Sequence, residues 1–244
     1  MKDFLLDIVE HVLPTGVINL VKITGDDKST VVTAISEDKT TLIFRGTFHT
    51  PQPEFEGVFG LPNLTNLATI LNIPEYRDNA NIYIKKENVA GVDKPRSIQF
   101  DNASGDFNNN FRLMVDYLVS DKVRDVKFNG TTWNITMEPT VASISRLKYQ
   151  SQAHSAYETF TARSDGNDLR LYFGDPSGHA GDFVFQSGVS GKLSGDWQHR
   201  VTLFQSILNL SGDKVIQFSD DGVILITVDS GLVKYEYFLP ALTK

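Results

Sequence analysis

The residues from Gly195 to Leu242 constrain the fold more than any other stretch, because they read as one amphipathic helix running into three short strands. Trp197, Val201, Phe204 and Leu208 recur at i, i+4, i+7 and i+11, which lays a single apolar stripe along one helix face. Asp196 stands where an N-cap belongs, and Ser211-Gly212 ends the helix. Strands are expected at Val215–Phe218, Val223–Val228 and Val233–Leu239, with Asp220-Asp221-Gly222 and Ser230-Gly231 as the turns between them. The unit is one helix against an antiparallel meander. A similar unit appears earlier: Leu64, Leu67 and Leu71 form a stripe, followed by a strand over Asn79–Lys85. Ile70-Leu71-Asn72-Ile73 is echoed by Ile207-Leu208-Asn209-Leu210.

The rest of the chain fits a duplication. A first helix is expected over Phe4–Leu13, closed by Pro14 and Gly16, and a second over Leu61–Ile73 with Pro62 in its first turn. The second carries no charge; its polar face is Asn63, Thr65, Asn66, Thr69 and Asn72. Strands are expected at Val17–Ile23, Thr30–Ile35, Thr41–Phe48, Ile82–Ile84, Ser97–Phe100 and Phe111–Val115. Asp116–Thr131 has mixed charge and no period, which reads as a connector. Beyond it come a strand at Trp133–Met137, a helix over Val141–Gln152, and strands at Ala156–Ala162, Asp168–Phe173 and Phe183–Phe185. Thr33-Ala34-Ile35-Ser36-Glu37 is echoed by Thr161-Ala162-Arg163-Ser164-Asp165, a second sign of two similar halves.

Composition excludes several classes. With no cysteine there is neither a disulfide nor a thiolate site, which fits a cytosolic product best. Asp3, Asp7 and Glu10 interrupt the N-terminal apolar stretch, unlike a signal peptide, and no apolar run is long enough to span a bilayer. A net charge of −7 argues against a uniformly basic nucleic-acid binder, but permits acidic outer and basic inner surfaces.

No catalytic constellation emerges. The 5 histidines are scattered, with no pair at the spacing of a helical zinc site. Gly188–Leu193 approaches a phosphate loop, yet Gln186 replaces its first glycine and Leu193 its magnesium-binding hydroxyl. In Gly191–Gly195 the serine falls one place too late for a nucleophile elbow. The expectation is a protein that is not an enzyme and needs no metal or cofactor.

The order of elements, sharpest over Trp197–Ala241, resembles that of the DNA polymerase sliding clamps, the processivity factors of replication. Length and plan are similar to the trimeric clamps, proliferating cell nuclear antigen and its T-even-type bacteriophage counterpart. The connector and N-terminal helix lean toward the phage type. The resemblance implies an α+β chain with two similar domains of the DNA-clamp fold, each setting two helices against antiparallel sheets and assembling into a ring. Domain 1 would be residues 1–115, the connector 116–131 and domain 2 132–244. It further implies a homotrimer that encircles double-stranded DNA without reading sequence, tethers a DNA polymerase, is opened by a clamp loader ATPase and works away from membranes, in the host cell cytoplasm if viral.

Site residues follow from the same resemblance. Arg146, Lys148, His154, His199 and Arg200 would face DNA, whereas the acids of the first helix depart from the expected positive lining. Phe111, Leu113 and Val115 of one subunit would meet Phe183 and Phe185 of the next. Tyr117, Leu118 and Val119, with Phe238, Leu239, Pro240 and Ala241, would receive apolar peptide tails of partners. The alternative is a β-rich phage structural or adaptor protein that never touches DNA; the Asn- and aromatic-rich strands leave a carbohydrate-binding module as a weaker third.

Overall fold

The structure, a computed structural model, describes residues 1–124 and 131–242. Its contacts divide the chain into two units, Met1–Glu37 with Phe44–Asp125 and Ser230–Tyr235, and Asp38–Ile43 with Val126–Asp229 and Glu236–Lys244.

The first unit opens with α1 (Lys2–Val12), whose Leu5, Ile8, Val9 and Val12 are buried at helical spacing. Strands β1 (Leu20–Gly25), β2 (Thr30–Ile35), β3 (Ile43–Phe48) and β4 (Gly57–Pro62) follow, in the spatial order β4-β1-β2-β3. Next come α2 (Leu64–Leu71) and a meander of β5 (Asn81–Val89), β6 (Val92–Asp101) and β7 (Asn108–Arg112). A two-residue strand β8 (Met114–Val115) returns to pair with β4, and α3 (Asp116–Lys122) completes the unit. Phe4, Phe48, Phe55 and Phe59 pack edge to face at centroid distances of 5.8–6.4 Å. Asp7 turns inward: its Oδ2 accepts from the Tyr235 hydroxyl at 2.7 Å and the Ser230 hydroxyl at 3.0 Å. His11 stacks on the same Tyr235 ring at 4.5 Å. A side chain on Gly46 would lie 2.8 Å from that ring, so glycine is required there.

The second unit starts with β9 (Ile135–Met137) and α4 (Val141–Ala153), which opens on a reciprocal capping box between Thr140 and Ser143. Then come β10 (Thr159–Asp165), β11 (Asp168–Gly174), β12 (Ala180–Ser187) and β13 (Gln198–Arg200), ordered β13-β10-β11-β12. The helix α5 (Val201–Leu208) leads to β14 (Asp213–Ser219), β15 (Val223–Asp229) and β16 (Val233–Pro240). The internal plan repeats: helix, four strands in one order, helix, three-stranded meander. The matching edge strands, β4 and β13, each meet a later piece of chain. β8 pairs with β4 in one unit, and in the other Leu242 donates its N–H to the Gln198 carbonyl at 2.9 Å.

Several expectations need correcting. Trp197 is not on α5. Its indole N–H donates to the Asp220 carbonyl at 2.7 Å, while Asp196 pairs with Arg163 at 2.7 Å instead of capping a helix. Gln198–Arg200 joins the sheet by pairing with β10, so the helix starts at Val201. The stripe Val201, Phe204 and Leu208 is real, and Trp197 extended it by coincidence of spacing. In the first unit Pro62 ends β4, and Asn63, at φ 51, caps α2 by accepting from the Asn66 N–H. The supposed connector begins as the helix α3, with Asp116 in the first turn and Lys122 in the last, a charge order that suits the helix dipole. Residues 125–130 of that connector lie outside the described residues. The Thr33 echo is out of step, because it matches β2 to β10 when the strand orders match β1 to β10.

Gly222 sits at φ 81 with the Trp197 ring 2.8 Å from where a Cβ would be, whereas Gly231, at φ 88, has nothing within 4 Å. Gly222→Ala should therefore cost about 2–4 kcal/mol, strain plus overpacking, and Gly231→Ala only about 1 kcal/mol of strain. Urea unfolding of both variants checks the difference; equal costs would contradict the Trp197–Gly222 contact.

Candidate functional site

Candidate surfaces are the outward helix faces and the outer strand edges. On α2, Thr65, Asn66, Thr69 and Asn72 are exposed while Leu64, Leu67, Ile70 and Leu71 are buried. On α5, Thr202 is exposed and Gln205 and Ser206 half-exposed, with Asn209 exposed just beyond its end. Neither helix contains a charged residue. Their hydroxyls bond back to their own helices: Thr69 to the Thr65 carbonyl at 2.9 Å and Ser206 to the Thr202 carbonyl at 2.8 Å. The neutral face of α2 is legible in the sequence, whereas that of α5 is hidden there because the apolar spacing from Trp197 puts Arg200 within the expected helix.

The sequence-predicted DNA-facing cations lie on α4 and at the start of α5. Arg146 and Lys148 are exposed, and Arg146 leans on β12, its guanidinium 3.4 Å from the Val184 carbonyl. Gly181 of β12 lies under this helix; a Cβ there would collide with Gln150 and His154. His154 is half-buried, stacked at 6.2 Å on Phe173, with Nδ1 enclosed and without a hydrogen-bond partner. Arg200 is exposed at the N-cap position of α5. His199 is a correction: it belongs to β13, is only 4% exposed, and tilts against Phe160 at 5.9 Å. Burial drives its pKa down to about 4, a hydrogen bond with the Leu239 backbone opposing only part of the shift. A neutral, enclosed imidazole cannot serve as a cationic phosphate contact. On α1, Asp3 and Glu10 are exposed, and Lys2 donates to the Tyr76 carbonyl at 2.7 Å.

The edges of interest are β7, outermost in the β5-β6-β7 sheet, and β12, outermost in β12-β11-β10-β13. Phe111, Leu113 and Phe185 are 4%, 3% and 2% exposed, so these side chains belong to the cores of their own units and are withdrawn as contact side chains. Phe183 and Val115 are half-buried, while Asn108, Asn110 and Arg112 of β7 and Asp182 of β12 are exposed. For the partner-peptide residues, Tyr117 is 73% and Leu118 44% exposed on α3, but Val119 is fully buried beside Gly60. Leu239 is likewise buried, and Phe238, Pro240 and Ala241 are half-buried. Val119 and Leu239 are therefore core residues and not peptide contacts.

An open hollow of about 650 Å3 lies over the outer face of β10 and β11, but its charges are engaged. Arg163 pairs with Asp196 and lies 5.5 Å over the Tyr172 ring, and Arg170 pairs with Asp182. Among the described residues there is no cluster of three or more metal-ligating side chains, and no helix is long and apolar enough to cross a membrane.

Against solved structures, the chain is similar along its whole length to proliferating cell nuclear antigen. A. fulgidus PCNA with the C-terminal region of FEN-1 bound matches with a TM-score of 0.70 at 12% identity, covering 100% of this chain and 96% of that one. This chain has the sliding-clamp fold. PCNA from Thermococcus kodakaraensis matches with a TM-score of 0.67 at 11% identity, over 97% of this chain and 96% of the other. The Entamoeba histolytica protein gives 0.67 at 12%, over 97% and 94%. No family model and no curated protein matches the sequence. The clamp fold is therefore present at near-background sequence identity, as expected where patterning and turns define the architecture rather than a short motif.

Burial of His199 has a pH consequence. Its folded-state pKa of about 4 lies below the ordinary 6.5, so the unfolded chain binds the extra proton between these values. The contribution is complete above pH 6.5 and is lost as pH falls toward 4. At about 1.4 kcal/mol per pKa unit this amounts to roughly 3 kcal/mol. Urea midpoints measured between pH 7.5 and 4 should fall less steeply in His199→Gln than in the parent; parallel profiles would contradict a buried neutral imidazole.

Proposed function

We propose that this protein is a sliding clamp that closes head to tail as a homotrimer around duplex DNA and tethers a DNA polymerase. The observation that carries the reading is the full-length clamp fold, with the same helix-backed plan in both units. Two outer strands, β7 and β12, are open to a neighbour, and a head-to-tail contact between such unlike edges closes when the rotation does. Asn and Arg side chains along β7 face solvent, as does Asp182 on β12, so the pairing would be made by main chain and polar side chains with Phe183 beside it.

Encirclement sets its own requirement. A clamp held by topology needs no strong contacts, and contacts that hold one register oppose sliding. The uncharged faces of α2 and α5 suit that task, leaving Arg146, Lys148 and Arg200 for transient phosphate contacts. The turn of Asp7 into its own unit leaves Asp3 and Glu10 as the exposed acids of α1. Tyr117 and Leu118, exposed apolar side chains of α3, are candidate anchors for apolar tails of partner proteins, the polymerase and the ATP-driven clamp loader included. The clamp itself would hydrolyse nothing.

The mass in solution tests the assembly: three chains are expected. Phe183→Asp should give folded monomers, since a carboxylate beside the β12 edge opposes the neighbour while the side chain is already half exposed. A variant that remains trimeric at low micromolar concentration would exclude β12 from the interface. Neutralising Arg146, Lys148 and Arg200 together should weaken retention on DNA and flatten its salt dependence, with single changes mild. A triple variant indistinguishable from the parent at every salt concentration would remove these residues from the DNA surface.

A further inference from the structure

The meander sheet is repeated in both units, but its outer edge is treated differently in each. In the second unit β9 lies antiparallel along β14, with Ile135 opposite Phe218 and Met137 opposite Ile216. These four side chains are at most 7% exposed, and Thr136 between them points to solvent. In the first unit the equivalent strand is β5, and among the described residues no strand lies along its outer edge. There Ile82 and Ile84 remain half-buried and Tyr83 is 37% exposed.

The open stretch has defined ends. Regular pairing of β5 with β6 breaks between Lys85 and Lys86, and Lys86 reaches Glu56 at 2.8 Å. Lysines and bulges are the usual means of blunting a sheet edge, so β5 is guarded from Lys85 onward and unguarded over Asn81–Ile84. That length fits a partner strand as short as β9. The hairpin beyond carries Lys85, Lys86, Lys94 and Arg96 against Glu87 and Asp93, in a chain whose net charge is −7. Arg96 pairs with Glu87 at 3.2 Å, while Lys85 donates only to the Gln99 side-chain oxygen at 2.9 Å, a neutral partner that leaves its charge unbalanced.

We propose that the outer edge of β5 over Asn81–Ile84 is a strand-addition site for an extended segment of a partner protein. The segment runs antiparallel, with apolar residues at two alternate positions and acidic residues just before them. Its apolar side chains complete the burial of Ile82 and Ile84, as Ile135 and Met137 do for Ile216 and Phe218. The antiparallel direction sets its N-terminal end beside Lys85 and Lys86, which is why the acids precede the apolar pair. Main-chain hydrogen bonds supply affinity, and the alternate side chains supply selectivity. The protein's own β9 is a poor occupant in trans, since Thr132-Trp133-Asn134 ahead of it carry no acid and it already belongs to a sheet. The inference does not depend on ring closure or on DNA.

The test uses the full-length protein and a labelled synthetic peptide of two aspartates followed by valine, threonine and valine. Saturable binding is expected, with slowed amide hydrogen exchange confined to β5 between residues 81 and 84. Replacing the aspartates with lysines should weaken binding about tenfold or more, and N-methylating alternate peptide amides should abolish it. Neighbouring residues of a strand direct their N–H groups to opposite sides, so one of Ile82→Pro and Tyr83→Pro keeps the β5–β6 ladder and must fold yet fail to bind. Protection on β7 or β12 instead, undiminished binding of the methylated peptide, or self-association through β5 without peptide would overturn the proposal. Because neither a ring nor DNA enters the assay, such a failure leaves the encirclement reading as it stood.

Discussion

Everything in this structure depends on covering the apolar underside of antiparallel strands. A sheet of this kind buries one face and leaves the other to water, so each unit must supply a lid of the right length. Here the lids are helices: Leu5, Ile8, Val9 and Val12 of α1 with Leu64, Leu67, Ile70 and Leu71 of α2, and in the second unit the continuous apolar side of α5. Once those faces are committed to the core, only the helices' outer faces and the strand edges remain for function. Those are the surfaces on which the proposed activity rests.

The chemistry of the outer faces then sets what the protein can do. The outer faces of α2 and α5 carry no charge, and two charged groups that sequence alone would place on helix surfaces are withdrawn into the fold. Asp7 accepts two hydroxyl hydrogen bonds inside its unit, and His199 is locked neutral between apolar neighbours. A surface of threonine, serine, asparagine and glutamine, with a few cations beside it, can touch phosphates weakly and release them. Binding by enclosure needs that property, whereas binding by readout needs fixed, base-directed contacts.

Much of the fold was legible in the sequence because its signals were local. The β2 strand Thr30–Ile35 and the buried positions of α2 and α5 follow from period and turn residues alone. What failed was also physical. Trp197 satisfied a helical spacing while its ring was claimed by Gly222 and the Asp220 carbonyl, a long-range contact invisible to periodicity. β4 was hidden because Gly57, Gly60 and Pro62 are poor strand formers whose pairing with β1 overrides propensity. α3 has one fully buried side chain, Val119, too few for a stripe. Of the site residues, Arg146, Lys148 and Arg200 were found on the surface, but Phe111, Phe185, Val119 and Leu239 turned inward, since strand and helix faces cannot be assigned without knowing which side the core occupies.

The proposed function requires this chain to hold DNA by topology. Retention of the protein, in the presence of a candidate clamp loader ATPase, should be measured on a nicked circular duplex before and after a single cut that makes it linear. A long-lived complex is expected on the circle and is lost from the free ends after cutting, at a salt concentration where direct binding is negligible. Equal retention on circular and linear DNA, or none on either, would contradict it.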